Sequence, residues 1–226
     1  MIIIVPAYNE QAHLEGLLNA LAAAELGAEI VVIDDGSHDA TAQIAAKAGA
    51  RVLQHPFNLG YGAALQTGYK YALSVGADVV IQMDADGQHD PAQIPQLVAP
   101  LQAGDCDLVI GSRFLQPGGY AMGRTRNFGR QVFRLLGRIA GIQVTDPTSG
   151  FQVLNRKTLE LYAEDFFPHD YPDVDVLVMA SRRGIRIQEC AVQMNESPRV
   201  STLHGGARAI YYVYKMVLSL WAASKP

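Results

Sequence analysis

The chain has 226 residues, 49% of them hydrophobic and 18% charged, a balance that excludes a disordered chain and supplies enough apolar side chains for a substantial core. A formal net charge of −4 argues against a general nucleic-acid binder, which carries a basic excess. Cys106 and Cys190 stand far apart without C-x-x-C spacing, so they read as small core hydrophobes rather than disulfide or metal partners.

In chain order, Met1 leads directly into "IIIVPAYNE" without a basic n-region or small-residue cleavage site, so no secretory signal is read there. Ile2 to Val5 is an apolar strand, and Glu10 to Leu26 carries Leu14, Leu17, Leu18 and Leu21 at helical spacing. Ile30 to Ile33 is a second strand, followed by "DDGSHDAT", in which Ser37 or Asp39 caps a helix running to Ala48. Arg51 to Gln54 is a third strand, and "NLGYGAALQTGYKYALSVG" a loop and a helix. Val79 to Met83 is a fourth strand, Pro91 to Ala103 a helix with Asp90 as its N-cap, and Leu108 to Ile110 a fifth strand. Alternation of this kind predicts an α/β fold with a mostly parallel sheet covered on both faces.

The second half is less regular. "GRTRNFGRQVFRLLGRIAG" is an Arg-studded amphipathic helix, "TSGFQVLN" a strand, Asp173 to Arg183 a helix and Ile185 to Val192 a strand. "NESPRVSTLHGG" is a polar loop leading into an aromatic C-terminal helix. Residues 1–206 read as one catalytic-type domain and 207–226 as an interfacial or packing helix.

Ligands of open α/β sheets bind beyond the carboxyl ends of the strands. Three strand ends here carry polar clusters: "PAYNE", "DDGS" and "DADGQ". In the third, Asp84, Asp86 and Asp90 crowd like charges, which favours protonation unless a cation sits among them. Clustered carboxylates suit Mg²⁺ or Mn²⁺, which bind a few acids and complete their shell with substrate phosphates. The chain contains no G-x-x-x-x-G-K-[ST], and "GYGAAL" misses the last glycine of the dinucleotide fingerprint.

The ordered motifs "VPAYNE", "VIDDGSHDAT", "NLGYGAALQTGYKYA", "MDADGQHDP", "GSRF" and "DPTSGFQVLNRK" resemble family-2 glycosyltransferases of the GT-A fold. Within them, the chain looks most like dolichyl- and polyprenyl-phosphate sugar synthases and related bacterial cell-envelope enzymes, from roughly Ile2 to Tyr214. The resemblance implies a base and ribose pocket of Pro6, Tyr8 and Glu10, completed by Asp34 or Asp35. It implies that Asp84 faces the ribose or sugar and that Asp86 ligates the metal, with Ala85 between them and Gln88 a further ligand. His89 is read as an ordinary loop residue. Arg113 would meet a phosphate of donor or acceptor, or else pair with a structural carboxylate.

The same resemblance implies an inverting, metal-dependent transfer from a nucleotide-diphosphate sugar, a UDP-sugar first and a GDP-sugar second. A lipid-phosphate acceptor is already an anion and needs no strong base. A sugar hydroxyl would need a carboxylate near Asp146, Asp173 or Asp175 to take its proton, and Asp146 can equally shape the turn before Pro147. The remaining alternative is a nucleotide-sugar-binding protein without turnover.

Arg126, Arg130, Arg134 and Arg138 recur every four residues beside Val132, Phe133, Leu135, Leu136 and Ile139. They make either a solvated basic face or a contact with anionic headgroups, where each adds about 1 kcal/mol. Tyr211, Tyr212, Tyr214 and Trp221 around Lys215 suit a helix lying in the headgroup plane, or one packed on protein. That run is shorter than the roughly 20 residues a spanning helix needs. In the preceding loop, Arg199, with Ser201 and Thr202, matches the position of the acceptor loop of polyprenyl-phosphate synthases, while His204 stands where some members have lysine. The expected location is the cytoplasmic face of the membrane, peripherally attached or held by a small membrane protein.

Overall fold

The computed structural model describes residues 1–115, 131, 134, 135, 137, 138, 141–170 and 172–195. Its elements are β1 (Ile2–Ala7), α1 (Leu14–Ala23), β2 (Glu29–Asp34), α2 (Thr41–Lys47), β3 (Arg51–Gln54), α3 (Tyr61–Ser74) and β4 (Val79–Gln82). After a 3₁₀ turn at Pro91–Gln93 come α4 (Ile94–Gln102), β5 (Leu108–Ser112), β6 (Gln152–Asn155), α5 (Arg156–Tyr162), α6 (Val174–Arg182) and β7 (Ile187–Ala191).

The seven strands form one sheet in the order β3-β2-β1-β4-β6-β5-β7. Pairings among β1, β2, β3 and β4 are parallel, as is β5 with β7, whereas β6 runs antiparallel to both β4 and β5. The reversal has a consequence for the site. It brings the start of β6, where Gln152 pairs with Gln82 and with Ile110, to the carboxyl ends of its two neighbours.

Both faces of the sheet's centre are covered, which is why β1, β2, β4 and β5 read as largely apolar runs. Along β1, Ile2 and Ile4 join one core with Leu65, Tyr69, Leu159 and Leu177 from α3, α5 and α6. Ile3 and Val5 join the other with Leu14, Leu17 and Leu18 of α1 and Ile94 and Leu97 of α4. Each fully buried Leu or Ile of this kind contributes about 1.5–3 kcal/mol.

Helix α1 starts later than its leucine periodicity suggests. Asn9 is in the left-handed region (φ 55°), and Gln11 donates its backbone N–H to Asp39 Oδ2 while its side-chain oxygen accepts from Ala40 N. Those bonds draw residues 11–13 toward α2, so regular helix begins at Leu14. Asp39, not Ser37, serves the start of α2, accepting from Thr41 N at 3.0 Å. Asp90 caps as expected, accepting from Ala92 N at 2.9 Å, although the first turn is 3₁₀. Helix α5 was missed by the pattern reading. Its start is an Asn155 cap on Thr158 N at 3.0 Å, and seven residues are too few to show a period.

Of the described positions of the Arg-studded segment, 131, 134, 135, 137 and 138 are helical, with Arg138 exposed, and Gly141 lies in a turn. Arg126, Arg130, Arg199, Ser201, Thr202, His204 and the 207–226 segment lie outside the described residues. No helix among the described residues is long and apolar enough to cross a membrane.

Candidate active site

The site is built on the carboxyl ends of β1, β2 and β4. The turns after β1 and β2 are tied together: Asn9 N donates to Ser37 Oγ (2.9 Å), His38 N to Asn9 Oδ1 (2.9 Å), and Glu10 N to Thr41 Oγ1 (2.8 Å). Pro6 is buried in β1, paired in register with Ile33, and Tyr8 follows it at 41% exposure, on the rim. Glu10 is buried, its carboxylate 3.2 Å from His13 Nδ1. Buried Asp34 accepts from Ser37 N (3.1 Å) and Gln54 Nε2 (2.9 Å). Asp35 accepts from Leu59 N (2.8 Å) and Gly60 N (2.9 Å), with His55 Nδ1 at 2.7 Å, so it shapes the loop that opens α3.

At the end of β4, Ala85 is buried in the core while Asp84 and Asp86 on either side of it are partly exposed. Asp84 is held on both oxygens. Tyr61 OH donates to Oδ1 at 2.7 Å, and His89 Nε2 stands 3.2 Å from Oδ2. Burial works against the charge on Asp84, but His89, Tyr61 and the nearby charge of Arg113 outweigh it and hold the carboxyl below its usual range. His89 is therefore corrected from a loop residue to a buried partner of Asp84, its ring centroid 4.9 Å from that of Phe151 and tilted 41° to it. Asp86 accepts from Gln88 N at 3.0 Å and from the Gln88 side-chain amide, closing its own turn.

Among the described residues no group of three or more His, Cys, Asp or Glu side chains is placed to hold a metal by itself. Magnesium and manganese do not require one, since one or two carboxylates suffice when substrate phosphates and water complete the shell. The all-oxygen set of Asp84, Asp86 and the Gln88 amide fits an ion that arrives with a diphosphate.

Arg113, just beyond β5, forms a bidentate pair with Asp146: Nε to Oδ2 at 2.6 Å and Nη2 to Oδ1 at 2.7 Å, with its own N–H adding a bond to Oδ2 at 3.1 Å. Of the two partners expected for this arginine, the structure shows the carboxylate. Asp146 is fully buried and both its oxygens accept from Arg113, the geometry of the second of its two readings, in which it anchors Arg113 and shapes the turn. Glu189 of β7 braces that turn from behind, accepting from Thr145 N (2.8 Å) and Asp146 N (2.9 Å). Asp175, in the first turn of α6, is buried and accepts from Asp173 N (3.1 Å) and Val176 N (2.9 Å).

The family model described as Glycosyl transferase family 2 matches residues 2–162. The chain belongs to glycosyl transferase family 2. It is 33% identical over 204 residues to an undecaprenyl-phosphate mannosyltransferase of Micrococcus luteus, covering 85% of this chain and 82% of that one. A UDP-N-acetylglucosamine–dolichyl-phosphate N-acetylglucosaminyltransferase of Methanococcus voltae is 28% identical over 213 residues, 84% of each chain. The sheet superposes on glucosyl-3-phosphoglycerate synthase of Mycobacterium tuberculosis, solved with Mn²⁺ and UDP-glucose, with a TM-score of 0.75 over 97% of this chain and 78% of that one, at 22% identity. The fold is GT-A.

Several residues of this family-2 glycosyltransferase escaped the motif reading. Gly150 packs its backbone onto the Asp84 carboxylate, so closely that a β-carbon would stand 2.7 Å from Oδ1 and 2.8 Å from Cγ. Tyr61 lies within "NLGYGAALQTGYKYA", but that motif does not mark its contact with Asp84, and Glu189 lies outside the motifs. The "TSG" triplet before a strand was the one available hint of a close backbone approach.

Proposed function

We propose that this glycosyltransferase moves a sugar from a nucleotide-diphosphate donor, a UDP-sugar first, onto polyprenyl or dolichyl phosphate with inversion, using Mg²⁺ or Mn²⁺. The observation that carries the acceptor class is the similarity, along more than four-fifths of both chains, to enzymes named for undecaprenyl and dolichyl phosphate. The donor's base and ribose are assigned to Pro6, Tyr8, Glu10, Asp34 and Asp35, and its diphosphate to the turn of Asp84, Ala85 and Asp86 with Arg113 at its edge.

Asp86, with Asp84 and Gln88, would hold a divalent ion there, and that ion, when bound, would supply positive charge beside the departing diphosphate. The protein's share is to hold the two carboxylates oriented before the donor arrives. His89 and Tyr61 do this for Asp84, and Gln88 for Asp86. Arg113, preorganised by Asp146, adds a fixed cation, and removing one preorganised charge of this type costs about 10²–10³ in rate. A phosphate acceptor is already ionised and asks for no general base. That agrees with Asp146 being engaged on both oxygens by Arg113. An acceptor carried on a lipid puts the working enzyme at a membrane surface, with Arg199 and the 207–226 segment assigned to that side.

The test is incubation of the purified chain with labelled UDP- and GDP-sugars, Mg²⁺ or Mn²⁺, and either undecaprenyl phosphate or a glycan acceptor. An organic-extractable, acid-labile sugar phosphate is expected. Label appearing on the glycan alone rejects the acceptor, and donor binding without any transfer rejects turnover.

A further inference from the structure

Behind Asp84 runs a hydrogen-bonded chain that links two of the motifs through Gln82, which belongs to neither. Tyr69 OH donates to Gln82 Oε1 at 2.5 Å, Gln82 Nε2 donates to Tyr61 OH at 3.2 Å, and Tyr61 OH donates to Asp84 Oδ1 at 2.7 Å. Its direction is forced. An ionised carboxylate can only accept, so the Tyr61 proton must point at Asp84 and its lone pair is left for the Gln82 amide. Gln82 and Tyr69 are buried, so the far end of the chain is fixed in the core.

Tyr61 is held in place at its backbone as well. It opens α3, and the next two N–H groups, of Gly62 and Ala63, donate to Asp170 O (3.0 Å) and His169 O (2.9 Å). A β-carbon at Gly62 would overlap the carbonyl of Pro168, so the helix start is seated on the segment that leads into α6. Asp86, by contrast, is bonded within its own turn.

We propose that Tyr61 is a positioning residue for Asp84: its hydroxyl, backed by Gln82 and Tyr69, fixes the carboxylate in the orientation that receives the donor and its cation. This inference rests on the donor-binding reading of Asp84. It divides the labour between the two acids, with Asp84 preset by the core and Asp86 free to adjust with its turn. The ring of Tyr61 packs against the core in any case, so the hydroxyl alone carries the proposed role.

Tyr61→Phe removes that hydroxyl and keeps the ring. The readout is Mn²⁺ bound by protein in the presence of UDP, followed by loss of the free-ion electron paramagnetic resonance signal, with thermal unfolding alongside. Outer partners of ligating groups are worth about 10–100-fold in metal affinity, so a loss of about tenfold is expected with the melting temperature kept. In an Asp84→Ala background, Tyr61→Phe should add nothing further, because its effect passes through that carboxylate. Full Mn²⁺ affinity in Tyr61→Phe, or losses that add in the double variant, overturns the proposal while leaving the donor-binding reading intact. Wild-type protein that fails to bind Mn²⁺ with UDP overturns both. Should Tyr61→Phe not fold, Gln82→Met gives the same readout one link back: a smaller loss of affinity supports the chain, and none overturns it.

Discussion

Gly150 and Asp84 are locked face to face: the glycine's α-carbon abuts the carboxylate, and any side chain there would occupy the space of its oxygens. Gly150→Ala should therefore swing Asp84 away from Tyr61 and His89. Expected is a fall in kcat/KM of at least about tenfold, equal to about 1.4 kcal/mol of lost transition-state binding. Steady-state kinetics with a melting curve checks it, and unchanged kcat/KM would show that the carboxylate need not be held there.

Asp86 is partly exposed and bonds its own turn, so removing it spares the fold. Asp86→Ala should abolish metal-dependent nucleotide binding with the melting temperature retained. Titration calorimetry of UDP in the presence of Mn²⁺ decides the point; equal affinity in wild type and variant rejects Asp86 as the ligand.

The Arg113–Asp146 pair makes a stability prediction. Asp146 is 0% exposed and the Arg113 side chain 14%, so Asp146→Ala takes the paired carboxylate from a largely enclosed guanidinium. Breaking one side of such a pair costs about 3–5 kcal/mol. Urea denaturation measures it, and a loss under about 1 kcal/mol would mean the arginine finds water instead.

A pH effect is expected from Asp107, far from the site. The Arg186 guanidinium, aided by Asn155 and Lys157, outweighs burial and holds this carboxyl well below the usual range. A lowered folded-state value means the stabilisation is complete above the unfolded value of about 3.9 and drains away as pH falls through the folded one. Asp107→Asn should thus be clearly less stable than wild type at neutral pH, with the gap closing steadily in acid below about pH 4. Denaturation series across that range test it, and a gap independent of pH would contradict it.

Much of the architecture was readable because its causes are local. Strands buried on both faces need uninterrupted apolar runs, so β1 to β5 appear in the text of the chain, with ends displaced by only a few residues. Helix ends were harder, since side chains from another turn decide them, as Gln11 and Asp39 do for α1. The acids after β1, β2 and β4 were legible as one site because parallel strands put their carboxyl ends on one edge.

What the sequence determined by itself is which residue types stand at those strand ends, and hence an oxygen-rich site in a GT-A sheet. What only the tertiary structure decided is how each acid is used: Asp84 gripped by Tyr61, His89 and Gly150, and Asp146 committed to Arg113. The reason is the reversed strand β6, which carries Gly150 to the end of β4. No periodicity records a pairing between segments so distant in the chain, because its energy exists only once the sheet has closed around them.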